Sequence, residues 1–250
     1  YLASRLPAPL IVSAAAVVLK PAQSANRLLD KKRNILAAAG LLDSGSGIDQ
    51  RFEQIESKVV DLATGAYVDG VDAVTYDFVA AANSKDQGVA IPLDRDRAGI
   101  KHRSRYLPVY LVMRGGAVAK VVLPVYGKGL WSTLYGFIAI DRADLNTIRS
   151  LVYYEHAETP GLGGEVENPR WKALWNGKKA FGSDGAVNIQ VVHGTVDPAK
   201  EGAQHQVELG LAHVHHGLVA QDARVVHQDV GAAELGERAP ENAAGAFDGR

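Results

Sequence analysis

The chain has 250 residues, 47% hydrophobic and 22% charged, enough to bury a sizeable core in one large domain or one domain with appendages. Its net charge of −1 gives no electrostatic basis for binding nucleic acid, whose phosphate backbone needs a basic surface. The absence of cysteine excludes disulfides, a thiolate nucleophile and any cysteine-ligated zinc or iron–sulfur cluster.

Leu6 to Leu19 is uncharged and mostly apolar, but its 14 residues fall short of the roughly 20 that cross a bilayer. Signal-peptide cores have about that length, yet Arg5 alone is a poor basic flank and no clean cleavage site follows. Two readings compete: a buried or interfacial segment, and the C-terminal half of a truncated transmembrane helix. Pro7 and Pro9 disturb a helix interior, so an intact span starts after them or before Tyr1.

From Ala22 to Gly40, the residues Ala25, Leu28, Leu29, Ile35, Leu36 and Ala39 fall near one helical face, with Gly40 as the stop. Ile48, Phe52, Ile55 and Val59 suggest a second helix. The texture then turns to β. Val59 to Leu62 and Tyr67-Val68 flank Thr64-Gly65 as a hairpin, and Val109 to Met113 and Ala117 to Tyr126 flank Arg114-Gly115-Gly116 as a stronger one. Residues 81–105 read as a polar connection, with Lys101 to Arg105 as a solvated basic loop. Leu134 to Ile140 and Ile148 to Tyr154 are two more strands. Short turns between adjacent strands predict an antiparallel sheet, and the helices around it an α+β domain.

Residues 155–185 are loop-rich, and Ile189 to His193 is a last strand. After Lys200 the composition changes abruptly. Residues 201–250 contain no Ser, Thr, Lys, Ile, Tyr or Trp, and neither helical nor strand periodicity persists, so no fold is assigned to them.

The common catalytic signatures fail. Gly161-Leu162-Gly163-Gly164-Glu165-Val166 lacks the third glycine of a dinucleotide-binding loop, and no strand leads directly into it. His205, His213, His215, His216 and His227 match no closed metal site by spacing, and they read as an incidental histidine-rich tail. No metal and no catalytic residue is expected.

Two segments carry more. Gly127-Lys128-Gly129-Leu130-Trp131-Ser132 follows the long strand, and Tyr153 to Pro169 contains the run Glu158-Thr159-Pro160-Gly161-Leu162-Gly163-Gly164. Glycines let backbone N–H groups approach a ligand. Leu130 and Trp131 offer an apolar surface to a flat ring, while Ser132, Glu158 and Thr159 can bond a polar edge. The same residues also suit structural turns that hold a sheet together, and the residues alone leave both readings open.

The runs YYEHAETPGLGGEVENPRW and VVLPVYGKGLWSTLYGF, with IVSAAAVVLK and LDKKRNILAAAG upstream, resemble the FMN-binding subunit of the bacterial sodium-translocating NADH:quinone reductases. The resemblance covers about residues 10–207. Less closely, the chain is similar to the flavin subunit of the ferredoxin:NAD electron-transport complex. The resemblance implies a (partial) transmembrane segment over residues 1–21, an FMN-binding domain over 22–207 and an atypical tail over 208–250. It implies FMN held by Leu130, Trp131 and Ser132, facing Glu158, Thr159, Leu162 and Gly163. It further implies an electron-transfer subunit in the bacterial inner membrane, its soluble domain periplasmic. NADH oxidation, ubiquinone reduction and Na⁺ export then belong to the complex with its other subunits, and this chain is not catalytic alone. Against that orientation, Lys20, Arg27, Lys31, Lys32 and Arg33 all follow the apolar segment, which taken naively places the domain in the cytoplasm.

The family attaches FMN through a phosphoester to the threonine of a Ser-Gly-Ala-Thr motif, expected just after His205-Gln206-Val207. This chain continues instead with Glu208-Leu209-Gly210, and Thr195 is its last threonine. The motif is lost where the composition changes, which points to a frameshift near residue 208. The alternative product is then a scaffold without cofactor.

Overall fold

Strands β1 (Ile55–Asp61), β4 (Tyr106–Arg114), β5 (Ala117–Lys128), β6 (Thr133–Asp141) and β7 (Ile148–Glu155) carry the fold. They form one antiparallel sheet in the spatial order β1-β4-β5-β6-β7. The structure, a computed structural model, describes residues 8–42, 47–185, 187–193, 196–199, 202–203 and 206–209. Both faces of the sheet are covered. Val60, Leu107, Val121, Leu123, Ile138 and Leu151 point to one side, where Trp171, Trp175 and Phe181 pack on them. Val59, Tyr110, Val122, Phe137 and Ala139 point to the other, against helix α1 (Ala8–Ala39). Alternation along each strand assigns residues to the two layers.

The end of α1 is seated on the sheet. Ile35, Leu36, Ala38 and Ala39 are essentially inaccessible to solvent. Gly40 follows with φ +71° and Leu41 N–H returns to the Leu36 carbonyl at 2.8 Å, a left-handed glycine stop. Carbonyls left open by the helix end are taken from the sheet: Lys120 Nζ donates to Ala39 O at 2.8 Å, and Ser150 Oγ donates to Ala38 O.

The antiparallel sheet and its strong hairpin are as the sequence predicts, with Gly115 and Gly116 at φ +60° and +80° in the turn. Four expectations need correction. Helix α1 does not begin at Ala22 but runs unbroken from Ala8 through Pro21. Pro9 sits in the first turn, where its missing N–H costs nothing, and Pro21 removes a single bond from a long helix. The helix expected over Ile48 to Val59 is only α2 (Ile48–Phe52), and Ile55 already begins β1. A spacing of four residues fits two strand periods as well as one helical turn. The Thr64-Gly65 turn exists, with Gly65 N–H on Asp61 O at 2.8 Å, but its second arm is a single Val60–Tyr67 bridge. β1 pairs along its length with β4 instead.

The fourth correction concerns residues 81–105. They follow from α3 (Phe78–Ala82) into β2 (Gly88–Ala90) and β3 (His102–Ser104), a two-stranded sheet. Ser104 is buried and bonded to the Tyr76 hydroxyl at 2.9 Å, and Arg105 pairs with Asp61 at 2.7 Å. What reads as a solvated basic loop is therefore partly structural.

The loop-rich stretch holds a 3₁₀ turn (Gly163–Glu167) and α4 (Pro169–Ala173). The predicted last strand appears as β8 (Gln190–His193) and is joined in parallel by β9 (Gln206–Leu209), which has no counterpart among the predicted elements. Among the described residues no helix is long and apolar enough to cross a membrane. The histidines read as an incidental tail, Thr195 and the chain from Gly210 onward lie outside the described residues.

Candidate functional site

Two loops leave the same end of the sheet. The β5–β6 hairpin pairs Lys128 with Thr133 and closes over Gly129–Ser132, where Gly129 N–H bonds Ser132 O at 2.7 Å. Strand β7 ends opposite Tyr135, and the chain continues as residues 156–162 into the 3₁₀ turn. Thr159 O accepts from Leu162 N–H at 3.1 Å and Gly164 N–H at 3.0 Å, closing a turn around Gly161, whose φ is +73°.

Glu158 joins the loops. It is 7% exposed, and its Oε1 accepts from the backbone N–H groups of Trp131 at 3.1 Å and Ser132 at 3.5 Å. Ser132 answers, its Oγ accepting from Ala157 N–H at 2.8 Å. Glycines make room for the carboxyl. A Cβ added at Gly129 would lie 2.3 Å from Glu158 Oε1 and 2.2 Å from Leu134 Cδ1. One added at Gly163 would lie 2.6 Å from Glu158 Oε2. His156 supports the same group, with Nδ1 accepting from Glu158 N–H at 3.2 Å and Nε2 at 3.1 Å from Glu167 Oε1.

With the polar groups turned inward, the apolar ones face out. Leu130 is 56% exposed, Trp131 70% and Leu162 52%, and Thr159 is exposed beside them. Large apolar side chains held this open on a braced pair of loops suit a flat apolar ligand better than a fold that merely needs turns. Behind them lie Tyr126 and Tyr135, stacked at 5.9 Å, with Tyr154 at 6.4 Å from Tyr135. Burial pushes the Tyr154 hydroxyl above the ordinary tyrosine range, with the Glu155 and Tyr135 charges adding to the shift.

Thus Leu130, Trp131, Ser132, Glu158, Thr159, Leu162 and Gly163 gather at one place, but in two roles. Leu130, Trp131, Thr159 and Leu162 are presented to solvent. Glu158, Ser132 and Gly163 are spent on joining the loops. Sequence reasoning offers Glu158 to a ligand's polar edge and does not single out His156 or Gly129. The spacing of His156 and Glu158, two residues apart in a glycine-rich run, is the available clue.

The arrangement fits an isoalloxazine ring laid on Leu130, Trp131 and Leu162, with backbone and hydroxyl groups at its edge. It does not fit a phosphothreonyl link at the expected position, since no threonine follows Thr195.

A family model described as FMN-binding domain matches residues 129–209. The NqrC component of the Na⁺-translocating NADH-quinone reductase of Pseudomonas aeruginosa is 50% identical over 205 residues, covering 80% of this chain and 78% of the relative. Its counterpart from Haemophilus ducreyi is 45% identical over 187 residues, covering 74% and 72%. Among solved structures, NqrC of Shewanella oneidensis matches with a TM-score of 0.68 at 31% identity, covering 83% of this chain and 92% of that one. The NqrC structure from Parabacteroides distasonis matches with 0.59 at 25% identity, covering 88% and 98%.

Proposed function

Because the chain belongs to the NqrC family of the Na⁺-translocating NADH-quinone reductases, we propose that it carries FMN on the paired loops 129–132 and 156–164. It is an electron-transfer flavin subunit, acting as part of the NADH-quinone reductase complex and not alone. When bound, FMN supplies the electron transfer, and the chain supplies position, exclusion of water and electrostatic surroundings.

Leu130, Trp131 and Leu162 form the surface for the ring. Thr159 and the 159–162 turn stand at its edge. Glu158 holds the two loops at a fixed separation by taking the Trp131 and Ser132 N–H groups, so the ring meets a prepared surface. The single observation that carries this reading is the exposure of three large apolar side chains on loops that a buried carboxyl locks together.

The test is titration of the full chain with FMN, followed by flavin fluorescence. Trp131→Ala and Leu162→Ala should each weaken binding about tenfold, the scale of losing one aromatic or aliphatic contact. Unchanged affinity in both would remove the site from these loops.

We also propose that the N-terminal part of α1 anchors the protein to the bacterial inner membrane beside the other subunits, with the sheet domain in the periplasm. The helix runs without a break from Ala8 to Ala39, only its last turn is buried against the sheet, and Val17, Val18 and Leu19 are exposed. Protease added to intact spheroplasts should digest the domain; full protection would overturn the periplasmic placement.

A further inference from the structure

The rest of the described molecule offers a groove of about 860 Å³ between α1 and residues 74–83, but nothing shows what would occupy it. The segment behind the cradle goes further. His156 has only 9% of its side chain exposed, while its partner Glu167 has 68% exposed. A neutral imidazole has one donor and one acceptor nitrogen. Here Nδ1 receives the Glu158 N–H at 3.2 Å, so the ring proton belongs on Nε2, which donates to Glu167 at 3.1 Å. Both bonds fit one tautomer. They do not fit the imidazolium, in which both nitrogens are donors and Nδ1–H would oppose the Glu158 N–H.

Resting on the flavin reading of the loops, we propose that His156 is a positioning residue of the cradle. Its Nδ1 fixes the backbone at Glu158, which aims the carboxyl at Trp131 and Ser132. Glu167 from the 3₁₀ turn takes the other ring nitrogen, and Glu158 is turned to the 129–132 loop.

Two variants of the full chain separate this from simple packing. In His156→Asn the amide oxygen stands near the place of Nδ1 and accepts, whereas His156→Phe fills the space and accepts nothing. Hydrogen exchange of the Glu158 amide in the flavin-free chain, and FMN titration, are followed in the wild type and both variants. H156N should keep the Glu158 amide protected and bind FMN nearly as well as the wild type. H156F should lose that protection and bind about tenfold more weakly, the scale of one donor left unmet. Equal Glu158 protection in H156F and the wild type, or a loss in H156N matching that in H156F, overturns the role of His156. No FMN binding by the wild type overturns instead the flavin reading beneath it.

Discussion

Glu158 decides whether the two loops behave as one site. Its side chain is buried, accepts from two backbone N–H groups and is packed by Gly129 and Gly163, so removing it leaves buried donors without partners. Glu158→Ala should cost about 1–3 kcal/mol of stability, the range for stranding a buried donor, and should weaken FMN binding with it. Glu158→Gln keeps an oxygen for the Trp131 N–H and should cost less. Gly129→Ala tests the same contact from the other side. Its Cβ would lie within 2.3 Å of both Leu134 and Glu158, so about 1–3 kcal/mol of overpacking is expected. Urea unfolding of the three variants checks the order Ala worse than Gln at 158, and an unaffected G129A would mean the loops are loose. In the sequence, Glu158 looks like a ligand-facing group because it stands among glycines that can admit a ligand. Nothing in one dimension shows that the glycines are there to admit that carboxyl.

Where apolar runs of strand length are set off by short turns, an element is readable. The β4–β5 hairpin and β6 and β7 are legible because such runs, buried on both faces, are separated by two adjacent glycines or a short polar stretch. The first strand is not, because Ile55 and Val59 satisfy both periods and only pairing with β4 selects one. β2 and β3, three residues each, are too short to show a period at all. β9 has no sequence signal of its own, being recruited by β8 in parallel. The turn between β6 and β7 shows how side chains hold such an element. Asp144 accepts from the backbone N–H groups of Asn146 at 3.0 Å and Thr147 at 2.9 Å, and from the Thr147 hydroxyl and Lys179, each at 2.5 Å. Burial alone would raise its pKa, but the bonds from Lys179, Thr147 and Asn146 outweigh it and hold Asp144 well below its ordinary 3.8. The folded value is depressed, so the stabilisation is complete above about pH 3.8 and is lost as pH falls through the folded value. Arg105 beside Asp61, and the Ala143 N–H with Arg149 beside Asp141, depress those carboxyls and act in the same direction. Urea midpoints should therefore fall below about pH 4 in the wild type, and Asp144→Asn should flatten part of that slope. An identical acid slope in the variant would show that the turn bonds contribute nothing.

At the scale of the whole molecule, the question is how a cradle on the surface keeps its cofactor. A covalent tether replaces association from solution with a high effective concentration, whereas a free ligand must overcome an association cost of about 4–15 kcal/mol through contacts alone. In the proposed cradle the contacts would be those of Leu130, Trp131 and Leu162, all more than half exposed, and no threonine follows Thr195 to carry a phosphoester where the family resemblance expects one. Part of the cradle's strength therefore has to come from rigidity. The braced loops and the sheet behind them lower the cost of ordering, but they add no contact area. The chain of this sequence should accordingly bind FMN reversibly. Gel filtration should strip the yellow colour, the denatured band should show no flavin fluorescence, and the intact mass should equal that of the polypeptide. Replacing residues 208 onward with a continuation carrying Asp-Gly-x-Ser-Gly-Ala-Thr, in cells that hold the maturation enzyme, should make the colour survive denaturation. A covalent flavin on the unaltered chain would overturn reversible binding, because the link would then have to use a residue outside the motif. Loss of FMN from the repaired chain would show that the loops, and not the missing threonine, set the limit.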